Sequence, residues 1–216
     1  MSSRDVYSRA EKLSDATIHV LGVTAALIAV SVLITLAAFL RPEPNVLFGT
    51  AVYGTGMLMM LTASAAYHMS PWAEWKDLLR RIDQSAIYVK IAATYTPFAI
   101  LTGTAPIFLV GMWLAAAVGF TLKMLAPERF ELAALALYLC MGWAGVVLAG
   151  DLIASLTTAT FILMLIGGII YTVGVAFFIW ERLPFHNTIW HAHVLVATGV
   201  FYAAVVVEVA HRPGVL

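Results

Sequence analysis

The chain has 216 residues, of which 62% are hydrophobic and 11% charged, and its formal net charge is zero. Soluble domains run nearer half apolar and a quarter charged, so this composition excludes an ordinary water-soluble domain. The neutral balance and the lack of any basic run exclude a nucleic-acid binder.

A mean hydropathy of +0.93 points instead to an integral membrane protein. The leading stretch MSSRDVYSRAEKLSDATIHV carries charges of both signs and no short apolar core with a cleavage site, so it does not read as a signal peptide. A hydrocarbon core about 30 Å thick takes roughly 20 apolar residues. Seven stretches meet that length, at about 18–40, 46–68, 82–102, 106–125, 131–149, 157–180 and 189–210. Between them lie RPEPN (41–45), MSPWAEWKDLLRR (69–81), GTAP (103–106), APERF (126–130), GDLIAS (150–155) and ERLPFHN (181–187), punctuated by proline and glycine. Connections this short make consecutive helices antiparallel neighbours. The expected fold is therefore all-α, a single seven-transmembrane helix bundle spanning 1–216. The one cysteine, Cys140, lies within the fifth stretch, rules out an intramolecular disulfide and is expected to pack in the bundle.

Lysine and arginine set the orientation. Arg4, Arg9, Lys12, Lys76, Arg80, Arg81, Lys123, Arg129 and Arg182 fall on one side, against Arg41 and Arg212 on the other. That bias places the N-terminus in the cytoplasm and the C-terminus outside, in a multi-pass protein of the inner (plasma) membrane.

With this topology, several polar residues reach a common depth. His68 closes the second stretch, Ser64 lies one turn deeper on the same face, Asp83 opens the third, His191 opens the seventh and His19 the first. Asp151, Glu208 and His211 are scattered at the other side. An ionisable group inside a bilayer costs roughly 2.5–3.5 kcal/mol on insertion scales, so such groups face the bundle interior and have partners. Histidines gathered with a carboxylate suggest a hydrogen-bonded polar core or a metal site, and imidazole suits zinc. Each residue also has a plainer reading. A helix-end histidine is often interfacial, Ser64 can bond a carbonyl of its own helix, and Asp83 can cap the third helix or pair with Arg80 or Arg81. Lys90, two turns beyond Asp83, can snorkel or pair with a carboxylate.

The segments EKLSDATIHVLG (11–22), SAAYH (64–68), RRIDQSAIYVKIAATYTPF (80–98), YLCMGW (138–143) and RLPFHNTIWHAHVL (182–195) together resemble the hemolysin III family. That family is the bacterial branch of the progestin and adipoQ receptor group, which is similar to alkaline ceramidases and related seven-helix hydrolases. The resemblance implies a zinc ion held by the histidine of an S-x-x-x-H motif and two histidines of the last helix. It makes His68 the first ligand and His191 the last, with Ser64 and Asp83 supporting a water at the metal. His19 matches a histidine that recurs at the start of the first helix. One ligand departs from the pattern, because HNTIWH places His186 and Asn187 in the reverse of the usual order. On a regular helix Asn187 lies about 40° from His191, whereas His186 lies about 140° away and His193 about 160° away. His186 reaches the site only if the helix begins after it. The third ligand is thus open among His186, His19 and Asn187, with His186 favoured.

Three functions follow as expectations. The first is a zinc-dependent hydrolase of lipid amides or esters, or a lipid-sensing metalloprotein, with Asp83 moving a proton and Ser64 orienting water or the developing oxyanion. The second is a homeostasis or receptor-like protein whose metal is structural and closed by four protein ligands, as His68, His191, His186 and Asp83 could supply. The third is a pore-forming cytolysin, disfavoured because a pore needs polar lining through the full bilayer depth. Membrane lipids are the expected partners.

Overall fold

A computed structural model describes residues 8–127 and 131–211. Arg4, Arg129 and Arg212, which enter the charge count above, lie outside them. The helices are α1 (Arg9–Leu40), α2 (Pro44–Met69), α3 (Lys76–Thr102), α4 (Pro106–Leu125), α5 (Glu131–Leu148), the short α6 (Gly150–Ser155), α7 (Thr158–Ile179) and α8 (His186–Ala210), with a 3₁₀ turn at Ala73–Trp75.

Helix α1 starts well before its apolar stretch for a local reason. Ser8 accepts a hydrogen bond from the Glu11 N–H at 3.2 Å while the Glu11 carboxylate accepts from the Ser8 N–H at 2.8 Å, a reciprocal cap. The helix consequently carries Glu11, Asp15 and His19 along one buried stripe. Pro44 and Pro106 start α2 and α4, where the missing N–H costs nothing. Gly103, at φ 66°, ends α3 in the left-handed conformation that favours glycine.

Among the described residues, six helices (α1, α2, α4, α5, α7 and α8) are long and apolar enough to cross a membrane. At 27 residues α3 also has the length, but it carries Lys76, Asp77, Arg80, Arg81, Asp83 and Lys90. It follows α2 and precedes α4 in the chain and packs against both. Its polarity is tolerated because it runs through the interior, packed against α2, α4, α5, α6 and α8. The protein is an all-α, multi-pass membrane protein.

Close approach around α3 depends on glycine. A Cβ on Gly119 would come within 2.4 Å of the Tyr88 ring, and one on Gly145 within 2.5 Å of Tyr95. In those gaps the Tyr88 hydroxyl donates to the Ala134 carbonyl at 2.8 Å, and the Tyr95 hydroxyl donates to Gly142 O at 2.8 Å and accepts from Gly145 N at 3.1 Å. Small residues at crossings and hydrogen bonds between helices are how apolar bundles hold together in lipid, where tails compete equally for apolar surface.

Candidate metal centre

Four helices deliver the site. Asp15 and His19 stand one turn apart on α1, His68 ends α2, Asp83 lies in the second turn of α3, and His191 lies in the second turn of α8. The seam between α1 and α8 fixes the first and last of these. Glu11 Oε1 accepts from the Phe185 N–H at 3.0 Å, the Ser14 and Thr188 hydroxyls lie 3.0 Å apart, and Asp15 meets His191. Three successive contacts along parallel helices leave little freedom to slide.

At the centre, Asp15 touches three imidazoles. His191 Nδ1 donates to its Oδ1 at 2.6 Å, while Oδ2 lies 3.2 Å from His68 Nδ1 and 3.5 Å from His19 Nε2. The rings crowd each other: centroids are 4.4 Å apart for His19–His191, 4.4 Å for His68–His191 and 5.1 Å for His19–His68. One ligand atom from each of Asp15, His19, His68 and His191 lies within 4.8 Å of the others. Asp15, His19 and His191 are buried and His68 is partly so.

This donor set fits a metal ion. His19 Nε2 is buried and makes no hydrogen bond, although it faces the carboxylate and the other rings. A buried nitrogen without a hydrogen bond carries a desolvation cost that an ion would remove. Three neutral imidazoles and a carboxylate are zinc-type ligands, though the set does not name the metal. Two arrangements are chemically open. Asp15 can enter the coordination shell, or it can hold His68 and His191 through their Nδ1 atoms and leave Nε2 to bind, as carboxylates behind metal-bound histidines do.

The supporting pair sits on the far side of His68. Asp83 Oδ2 is 4.0 Å from His68 Nε2, and Ser64, one turn before His68 on α2, lines the same cavity as Asp83. Ser64, His68, Asp83, His19 and His191 all line one cavity of about 820 Å³ that runs into the bundle between α3, α5, α7 and α8.

Of the residues singled out in the sequence, the structure brings together His68, His191, His19, Ser64 and Asp83. His186 is placed differently. It is the first residue of α8 rather than the last of a loop, it is buried, and it lines the same cavity without joining the four-ligand group; Asn187 lines the cavity too. His193 points elsewhere, its Nδ1 bonded to the Ile189 carbonyl at 2.8 Å and its ring beside Phe177. Asp15 was missed in the sequence because it precedes the apolar stretch. The signal was present in the Asp15–His19 spacing of four, which puts both on one helical face.

The model of the haemolysin-III-related family matches residues 7–202. The chain belongs to that family. It is 38% identical to a hemolysin-3 homolog of Bacillus subtilis, over 90% of this chain and 92% of the relative. Identity to hemolysin-3 of Bacillus cereus is 34%, covering 90% of each chain. The human monocyte to macrophage differentiation factor is 31% identical over 71% of this chain and 67% of its own length. The bacterial relatives imply the plasma membrane as the site of this multi-pass family member.

Proposed function

We propose that this haemolysin-III-related protein is a zinc-dependent hydrolase of a lipid amide or ester. The observation that supports the reading best is the convergence of His19, His68 and His191 on Asp15 at one end of a cavity that also exposes Asp83 and Ser64. Zinc held there would supply a Lewis acid to polarise a carbonyl and ease loss of a proton from water. The chain's own residues do the rest. Asp15 fixes the imidazole rings through Nδ1 of His191 and His68. An Asp83 oxygen takes a proton from the attacking water and returns it to the leaving nitrogen or oxygen. The Ser64 hydroxyl donates to the carbonyl oxygen as it gains charge. By the lysine and arginine bias, the metal end faces the cytoplasm, at the depth of an inner-leaflet headgroup.

A second reading also has an observation behind it. Asp15 with three histidines makes four protein ligands, and a closed tetrahedral site is structural. The metal would then pin α1, α2 and α8 together without chemistry.

Elemental analysis of detergent-purified protein is the test. The expected result is about one zinc per chain, as a single three- or four-ligand site requires, lost in His68→Ala and in His191→Ala. Wild type without stoichiometric metal would sink both readings. Release of fatty acid from an amide or ester lipid by wild type but not by Asp83→Asn, with zinc retained in both, separates the first from the second.

A further inference from the structure

The same cavity holds a second polar station that shares no residue with the metal centre. Lys90 lies seven residues beyond Asp83 on α3, and Thr198 seven beyond His191 on α8. Seven residues return to within about 20° of the same face and rise about 10.5 Å, so both helices carry a second tier directly under the first. Lys90 is only 3% exposed. Its Nζ donates to the Tyr171 hydroxyl at 3.0 Å, which lies 2.7 Å from Thr198 Oγ1, and it stands 4.8 Å from the Tyr171 ring and 5.1 Å from the Phe201 ring. Among the described residues no carboxylate pairs with it.

Hydroxyl and π contacts soften the cost of burying an ammonium but leave its charge uncompensated. Lysines that merely snorkel reach for water, whereas this one is held inside by α7 and α8. A second unsatisfied group lies on the cavity wall. Among the described residues the Tyr138 hydroxyl is buried with no hydrogen-bond partner, and Tyr138 lines the same cavity as Tyr171 and Lys90. A cation and a spare donor facing one space need an anion with at least two acceptor oxygens. On the α5 side the cavity is lined by Leu135, Leu139 and Trp143, with Glu131 at the start of that helix.

We propose that Lys90, Tyr138 and Tyr171 bind the carboxylate of a single-chain acidic lipid, whose hydrocarbon lies along the α5 wall of the cavity. Carboxylate is favoured over phosphate because one buried cation matches one negative charge; the further charge of a phosphate monoester would remain unpaired among aromatic rings. A volume of about 820 Å³ suits one chain of drug-like size. The station lies deeper than the metal end, so the ligand holds its head toward the membrane interior. Nothing in this assignment depends on a metal.

A fluorescent polyene fatty acid and its methyl ester, titrated into purified full-length protein with and without chelator, test the proposal. Wild type should bind the acid roughly ten- to a hundredfold more tightly than the ester, the range a charge-assisted hydrogen bond supplies, and chelator should not change the ratio. Lys90→Met should bind both at the ester's affinity, and Lys90→Arg should keep the preference. Equal binding of acid and ester by wild type overturns the site without needing any variant. An alkyl phosphate of equal chain length that displaces the acid as well as the acid displaces itself overturns the carboxylate assignment. Loss of the acid preference on chelation would place the anion at the metal instead, and would overturn it as well.

Discussion

Two buried carboxylates, one near each end of the bundle, are treated in opposite ways. Glu208, near the end of α8, accepts from the Thr157 backbone N–H at 3.3 Å and lies 3.2 Å from the Thr157 hydroxyl, joining the cap of α7 to α8. Thr157 in turn accepts from the Thr160 N–H at 3.2 Å. Those partners are a backbone donor and a hydroxyl, satisfied within two helix ends. Asp15 is instead ringed by three imidazoles from three helices, one of whose buried nitrogens has no hydrogen bond. The first arrangement is complete as it stands, a fastening between helices. The second gathers side chains that could hold a metal ion and leaves one buried imidazole nitrogen without a hydrogen bond. Burial alone therefore does not mark the site; convergence of side chains that cannot satisfy each other does.

The sharpest way to break that contrast is to remove one imidazole. With Asp15 orienting the rings rather than ligating, His19→Ala should lose the metal as fully as His68→Ala, because only two imidazole ligands would remain. His186→Gln should retain it, since His186 stands outside the four-ligand group. Elemental analysis of both variants decides the matter. Zinc kept in His19→Ala and lost in His186→Gln would restore the ligand set favoured from sequence and leave His19 as packing.

That pair of variants also measures how much of the site was legible. Seven stretches followed from hydropathy and from the proline and glycine breaks, and six of them coincide with helices long and apolar enough to cross a membrane. The stretch read at 82–102 lies within α3, whose charges set it apart from the six apolar helices. His68, His191, Ser64 and Asp83 were legible because topology alone equalises their depth. Which residue joins His68 and His191 is open in the sequence among His186, His19 and Asn187, because the choice turns on where α8 starts. The chain enters that helix through Phe185 at φ 60°, so His186 already belongs to the first turn. Asp15 was hidden for a different reason. A tail rich in charges looks like solvated cytoplasmic sequence, and only the Ser8–Glu11 cap, which extends α1 outward by a further two turns or so, turns that tail into a wall of the site.

A smaller effect separates the two roles open to Asp15. Asp15→Asn keeps the shape and still accepts one hydrogen bond, but it loses the charge. If Asp15 orients the histidines, zinc affinity should fall roughly 10- to 100-fold while loading at excess metal stays near one per chain. Competition against a chelator of known affinity reads this directly. Complete loss of loading at excess zinc would instead make Asp15 a ligand, and would favour the closed structural site over the catalytic one.

The smallest expected effect lies at the other carboxylate. Glu208→Gln preserves size and leaves an amide oxygen to accept from the Thr157 N–H, so only the strength of one hydrogen bond changes. The cost should be about 1 kcal/mol, seen as a modest fall in thermal unfolding temperature in detergent. Zinc content and affinity should not move, since α7 is held to α8 along their length and the metal centre is built from α1, α2 and α8. A change in zinc affinity comparable with that of Asp15→Asn would mean that the two ends are coupled through α8. The fastening at Glu208 would then set the position of His191, and the separation of the two carboxylates into a finished contact and an unfinished one would fail.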